Sequence, residues 1–388
     1  MSLTTDRPTL ADVDVSPEAL TRVTAEIAST APEYDRSGAV PRAGLEAAHR
    51  AGLLTASVGP QFGGPGLGLV DTARVLVALG EGDASVGLLA ANNLNVHLGQ
   101  ATNPHWPAAA YDDLLRRSQA GPALANAIRA EPELGAPARG GLPATTARRT
   151  TQGWSVSGRK AYATGGEALA YHVVWVVTDE PTQRVGHLLV PAESPGITWI
   201  NTWDHLGLRA SNTHDVVYDD VVVPEENFVE IPRTDGVYRD PAAVAGPGSF
   251  GHPALYLGVA RAARSAFVAY AQERVPTALG RPIATTERIQ TVAGEIEAQI
   301  AQAEALLFGT LLRLEAGHDV TAQLSVVKVQ IARSVVAAVN TAVAALGNPA
   351  LSRANPLERH LRDVLCVRIH PPQEDTALLA AGRRILGT

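Results

Sequence analysis

The chain has 388 residues, a formal net charge of -7 and a single cysteine. That length holds two or three domains, or one multilayered unit with a substantial core. The acidic balance argues against a nucleic-acid or anionic-membrane partner, and the lone Cys366 excludes an intrachain disulfide and any multi-cysteine metal site.

The first residues, Met1 to Pro8, are polar and lack the apolar stretch of a signal peptide. No apolar run approaches the ~20 residues of a membrane span, so a cytoplasmic protein is expected. From about Ser16 to Leu124 the pattern is helical with turn-rich breaks. Ser16-Pro17-Glu18-Ala19 reads as an N-cap followed by proline at the first helical position. Gly59-Pro60-Gln61-Phe62-Gly63-Gly64-Pro65-Gly66 is a loop by composition. Its glycine spacing is no dinucleotide fingerprint, because no strand precedes it and no acidic ribose partner follows.

Strand character takes over from about Ala125 to Arg239. Trp154 to Gly158 alternates, and His172 to Val177, His187 to Val190 and Val216 to Tyr218 are short β-branched or aromatic runs. A small β-barrel or sandwich is expected there, with Pro232 to Gly251 as a linker. Helical periodicity returns from about Pro253. Ile289, Val292, Ile296, Ile300, Ala303, Leu307, Leu311 and Leu314 form one stripe; Val327, Ile331, Val335, Val339, Val343 and Leu346 form a second. Gly317-His318-Asp319 separates them, which predicts two long antiparallel helices of a bundle. The expected units are residues 1–124 (helical), 125–239 (β) and 240–388 (helical bundle). No paired-carboxylate or HExxH spacing supports a metal site.

Several segments, in order and spacing, resemble the acyl-CoA dehydrogenase superfamily over almost the whole chain. They are Gly52-Leu53 with Phe62-Gly63-Gly64; Gly82-Asp83-Ala84-Ser85-Val86; and Gly153-Trp154 through Thr164-Gly165-Gly166. Leu206-Gly207-Leu208-Arg209, Val217-Tyr218-Asp219-Asp220-Val221 and Pro356-Leu357-Glu358-Arg359 through Arg362-Asp363 complete the series. The resemblance implies an α+β architecture: an N-terminal helical domain, a central β-domain and a C-terminal four-helix bundle. It also implies FAD, with FMN as an alternative, and a homotetramer or homodimer that completes the flavin site across a subunit boundary.

Carried over residue by residue, the resemblance places Tyr162, Ala163 and Thr164 at the isoalloxazine edge. Ala127, Ile128, Ala130 and Ala136 fall in the segment lining the flavin, Arg274 at the pyrophosphate, and Gly347-Asn348 near the adenosine of a neighbouring subunit's cofactor. The family's proton-abstracting glutamate does not carry over. Counted from Arg362-Asp363, its position is Pro371; the alternative base position is about Gly248. Neither residue can take a proton.

Histidines are the remaining acid–base groups. Ile369-His370-Pro371 and Leu94-Asn95-Val96-His97 look like histidine-bearing stretches of the two-component flavin monooxygenase branch, such as dibenzothiophene monooxygenase. A side chain with a pKa near neutrality suits proton traffic during oxygen chemistry. His97 and His370 are therefore the expected catalytic pair, with His252, near the alternative base position, third. The leading expectation is a monooxygenase that acts on a small organic substrate, fed by a flavin reductase. The alternatives are an acyl-thioester dehydrogenase with a non-carboxylate base, passing electrons to an electron-transfer flavoprotein, and a non-catalytic flavin- or partner-binding relative.

Overall fold

The computed structural model describes residue 10 and residues 12–134, 142–234, 237–238 and 250–388. The chain opens with five helices: α1 (Pro17–Ser37), α2 (Arg42–Arg50), α3 (Leu69–Gly82), α4 (Ala84–Thr102) and α5 (Ala108–Ala120). Ser16 caps α1 as its sequence predicts, its hydroxyl accepting the Ala19 N–H at 3.3 Å with Pro17 in the first turn.

Eight strands of the main sheet follow: β1 (Leu124–Ile128), β2 (Thr146–Thr150), β3 (Gly153–Ala163), β4 (Leu169–Thr178), β5 (Val185–Pro191), β6 (Ile197–Ile200), β7 (His214–Val223) and β8 (Phe228–Glu230). Where composition left barrel and sandwich open, they form one mixed sheet in the order β6-β7-β3-β2-β4-β5-β8, and β1 joins parallel to β4.

The last part is a bundle of α6 (Gly251–Glu273), α7 (Glu287–Glu315), α8 (Thr321–Leu346) and α9 (Pro356–Leu365), with α10 (Glu374–Leu386) laid against α8. Both expected stripes face inward: Ile296, Ile300, Ala303 and Leu307 on α7, and Ile331, Val335 and Val339 on α8, are at most 1% exposed. By length and composition α8 matches a membrane-spanning segment, contrary to the sequence expectation. It packs against α6, α7 and α9, and its apolarity is that of a core helix.

The helical and β regions share one continuous core that runs from Leu45 and Leu76 through Trp154 and Val216 to Leu257, Val335 and Leu357. Two glycines set the geometry where the N-terminal helices meet the bundle. A Cβ at Gly80 of α3 would lie 2.1 Å from the Leu255 carbonyl, and one at Gly258 of α6 would lie 2.1 Å from that of Val77. Only glycine lets the two backbones touch. The contact brings the first turn of α6 beside α3 and α4.

Candidate active site

His252 and Tyr256 stand one turn apart on α6, on the same helix face. The chain returns to this face after α9. A short 3-10 turn, Cys366–Arg368, leads into Ile369-His370-Pro371, and the His370 ring stacks on His252 with centroids 4.2 Å apart and planes within 5°. Nε2 of His370 lies 2.8 Å from the Tyr256 hydroxyl. Nε2 of His252 lies 3.2 Å from Oδ1 of Asn92, on α4.

These contacts fix the tautomers. An amide oxygen only accepts, so His252 carries its proton on Nε2 and presents a lone pair at Nδ1. Tyr256 is fully buried and its hydroxyl has no other acceptor among the described residues. It therefore donates to His370 Nε2, and the His370 proton sits on Nδ1. Neither Nδ1 has a partner among the described residues. The stacked rings thus present one acceptor and one donor side by side.

Their charge state departs from the sequence expectation of near-neutral titration. Burial first, then the Lys328 ammonium, pushes His252 down to about 4. Burial, His252 and Lys328 together push His370 well below the usual imidazole range. Both rings are neutral at physiological pH because an imidazolium here would be desolvated and beside a cation. No carboxylate among the described residues bears on either ring. Pro371 occupies the family's carboxylate position, and the alternative position near Gly248 lies outside the described residues.

A small, mostly apolar cavity lies at the start of α6, between α3 and α4, and neither imidazole lines it. Phe250 and Gly251 line it beside His252, with Leu76, Leu94, Leu98 and Leu311 around it; its free room is about 30 Å³. It accepts a methyl-sized group.

His97 is not part of this constellation, and the expected His97–His370 pair is corrected here. It lies five residues beyond Asn92 on α4, about 140° further round the helix. Its Nδ1 meets the Tyr111 hydroxyl at 3.0 Å, in an apolar cluster that also holds Phe62 and Trp106. The ring is 0% exposed, its Nε2 has no partner, and burial pushes its pKa to about 4.

In the β-domain β1 lies beside β3, and the strip between them is here termed the slot. Strands β1 and β3 are not laddered; the Ala161 N–H donates to the Ala130 carbonyl at 2.9 Å at one end. At the other end the Asn126 amide donates to the Thr164 carbonyl at 2.8 Å. Glu131 and Lys160 anchor the first end through a 2.7 Å ion pair whose side chains are 2% and 0% exposed. Above the slot, an extra residue in β3 between Lys160 and Ala163 makes a bulge. Tyr162 sits in it at φ 56° with its side chain 64% exposed. A non-glycine residue held there, ring outward, is a conformation that persists when its surroundings impose it.

Thr164 Oγ1 accepts from Thr213 Oγ1 at 3.1 Å, and Thr213 is paired in turn with Ser211. The small Ala127 is exposed on β1, while Ile128 and Ala163 are buried and offer only backbone. An unladdered strand pair, an outward aromatic and a hydroxyl cluster fit a planar heteroaromatic ring that hydrogen-bonds main-chain groups, which is what a flavin requires. Asn93 links this slot to the imidazoles. Its side chain accepts the Ala125 N–H at 2.9 Å and donates to the Leu54 carbonyl, and its neighbour Asn92 meets His252.

The other carried-over positions lie elsewhere. Arg274 is exposed just past α6, about 33 Å along that helix from His252. Gly347, at φ 65°, ends α8, and Asn348 begins the next turn; both are exposed. Ala136 lies outside the described residues. Tyr256, Asn126 and Thr213 were not among the residues the sequence nominated, and His252, third in that ranking, is the histidine the structure brings to His370. The usable signal was the His252–Tyr256 spacing of one helical turn.

Comparisons with known proteins agree with this layout. Residues 17–103, 127–221 and 247–386 match the N-terminal, middle and C-terminal domains of acyl-CoA dehydrogenase. The chain is 30% identical over 369 residues to the putative acyl-CoA dehydrogenase YdbM of Bacillus subtilis, covering 93% of this chain and 94% of that one. A structure of KijD3 with FMN and dTDP-3-amino-2,3,6-trideoxy-4-keto-3-methyl-D-glucose is 25% identical, with a TM-score of 0.78 over 97% of this chain and 95% of that one. Butyryl-CoA dehydrogenase from Megasphaera elsdenii, at 22% identity, shares the fold with a TM-score of 0.81 over 98% and 100% of the two chains.

Proposed function

The chain belongs to the acyl-CoA dehydrogenase family of flavin-dependent oxidoreductases, and we propose that within it the protein is a monooxygenase acting on a small organic substrate with reduced flavin and oxygen. The observation that carries this reading is the stacked His252–His370 pair, on which no carboxylate among the described residues bears. Bound reduced flavin supplies the electrons and activates oxygen. Tyr162 and Thr164, with the main chain of Ala127, Ile128, Ala130 and Ala163, hold its ring in the slot between β1 and β3. The cofactor is FAD, with Arg274, Gly347 and Asn348 of a second copy at its phosphates and adenosine. The exposure of Arg274, Gly347 and Asn348 at helix ends is compatible with their meeting a second copy in a homotetramer or homodimer. FMN, present in the KijD3 complex, would need the slot residues alone.

The imidazoles then divide the proton work. His252 Nδ1 accepts the proton of the substrate's N–H, O–H or equivalent nucleophile, while Asn92 holds its other nitrogen. His370 Nδ1–H donates to the oxygen atom being transferred, backed by the Tyr256 hydroxyl. The apolar cavity beside Phe250 seats a small alkyl group and excludes water. A separate flavin reductase supplies the reduced cofactor.

A dehydrogenase reading remains because YdbM carries that name. It would need a thioester substrate, an imidazole base and an electron-transfer flavoprotein as acceptor. Two measurements on flavin-loaded protein separate them. Monooxygenation predicts one atom of ¹⁸O from ¹⁸O₂ in the product of an amine, thioether or phenol substrate, lost in His252→Ala and His370→Ala. Rapid anaerobic bleaching of the oxidised flavin by a short acyl-CoA overturns the proposal.

A further inference from the structure

We propose that Lys328 is the positioning residue of this site, a buried ammonium that clamps the His370 loop and holds its ring against His252. The inference rests on the reading of the histidine pair as the reacting site.

Lys328 stands in the apolar stripe of α8. Leu324, Ile331 and Val335, at helical spacing around it, are core residues, and Lys328 itself is only 2% exposed. A lysine at such a position is costly unless its charge is satisfied. Its ammonium has three donors, and the loop after α9 supplies three carbonyls. Nζ lies 2.8 Å from the His370 oxygen, 3.1 Å from that of Pro372 and 3.4 Å from that of Val367. The three acceptors span the segment in which His370 sits, so one side chain fixes the loop at its beginning, middle and end.

No carboxylate neutralises this cation by contact. Glu374 on α10 is the nearest acid to act on it, and Arg333 of α8 already engages that carboxylate at 2.5 Å. The groups facing Lys328 from other elements are thus the loop carbonyls, His252 of α6, His370 and the shared Glu374. The placement has two consequences. The backbone of the loop cannot drift, which keeps the imidazole planes parallel and Nε2 within reach of Tyr256. A fixed positive charge behind the pair also keeps both rings neutral, as the donor–acceptor arrangement requires.

Hydrogen–deuterium exchange with mass spectrometry on the full-length, flavin-loaded protein reads the clamp directly. In Lys328→Met, amides of residues 367–373 are expected to exchange about tenfold faster, because a charge-assisted three-way anchor is lost. Peptides from α7 should keep wild-type rates. Spectra of ¹⁵N-histidine-labelled protein add a signature that general loosening elsewhere would not move. The fixed Nδ1–H form of His370 should give way to averaged tautomers while the histidines outside the pair keep theirs. Lys328→Gln, which retains two donors, should give an intermediate result and covers a methionine variant that does not fold. Unchanged loop exchange, or an unchanged His370 signature in a folded variant, overturns the clamp. If Lys328→Met loosens the loop while His370→Ala leaves oxygen-dependent turnover intact, the clamp stands and the reading of the site falls.

Discussion

Acid should unfold this protein with a slope that one buried carboxyl makes shallower, and Asp363→Asn tests that. His97, His172 and His360 are 0, 0 and 6% exposed, and burial pushes them to about 4, 4 and 3. Unfolded imidazoles take their proton near 6.5, so between about pH 6.5 and 4 the unfolded chain binds more protons. Their contribution is complete above that range and is lost as pH falls through it. Asp363, 4% exposed, is pushed up to about 7 by burial, against the opposing Leu208 N–H and Arg359. At pH 5 the folded carboxyl is protonated and the unfolded one is ionised, so Asp363 acts in the other direction.

His252, at about 4, and His370, pushed well below the usual range, act the same way; five imidazole protons less one carboxyl proton leaves about four, a slope of roughly 5.4 kcal/mol per pH unit near pH 5. Asp83, also raised by burial, reduces it somewhat. Asparagine at 363 keeps an oxygen for the Leu208 N–H, now 2.7 Å from Oδ1, but cannot titrate. The variant should lose stability more steeply, by about 1.4 kcal/mol per pH unit. Denaturant unfolding from pH 4.5 to 7.5 on both proteins measures the slopes. A variant slope equal to or shallower than wild type refutes the reasoning.

Two further substitutions probe the slot and the histidine pair. Lys160→Met leaves the Glu131 carboxylate buried with only the Ala144 N–H, Thr145 N–H and Thr145 hydroxyl as donors. A loss of about 3–5 kcal/mol in denaturant unfolding is expected, with weaker flavin binding by fluorescence titration as the Ala130–Ala161 end loosens. A loss below about 1 kcal/mol would show that the pair does not anchor the slot. Tyr256→Phe removes the donor to His370 Nε2 at 2.8 Å and frees the tautomer. Oxygen-dependent turnover should fall about tenfold at unchanged flavin affinity, the scale of one lost buried hydrogen bond; an unchanged rate would exclude the assigned tautomer.

What the sequence made legible is local. The stripe from Ile289 to Leu314 is one helix because a 3.6-residue period survives in the linear order, and the run His172–Val177 is a strand for a similar reason. Tyr162 and Thr164 could be nominated for the flavin edge because they sit within a contiguous motif. The histidine pair could not, because its contacts are long-range: Asn92 is 160 residues from His252, and Tyr256 is 114 from His370. His97 was misplaced because its neighbours along the chain resemble a site, whereas helix phase turns the ring away from Asn92 into the Tyr111 cluster. Lys328 was invisible because an isolated lysine between Val327 and Val329 carries no mark of three carbonyls about 40 residues later.

The proposed chemistry turns on the opposite response of the two residue types to the same burial. An enclosed carboxyl has its pKa raised toward neutrality, which strengthens it as a base for removing a carbon-bound proton. An enclosed imidazole has its pKa lowered, as in His252 at about 4, and becomes a weaker base with fixed donor and acceptor atoms. Exchanging the family's glutamate for proline and filling the space with two stacked rings therefore does more than replace one base by another. It removes the driving force for α-proton abstraction while supplying neutral hydrogen-bonding groups, held in opposite tautomers by Asn92 and Tyr256. Groups of that kind can guide a proton from a heteroatom and steady an oxygen atom without competing for either. On this argument, restoring Pro371→Glu alone would not restore a dehydrogenase. The Lys328 cation behind the loop would hold the new carboxylate ionised and its pKa low, so the bleaching rate with acyl-CoA should stay near zero in that variant.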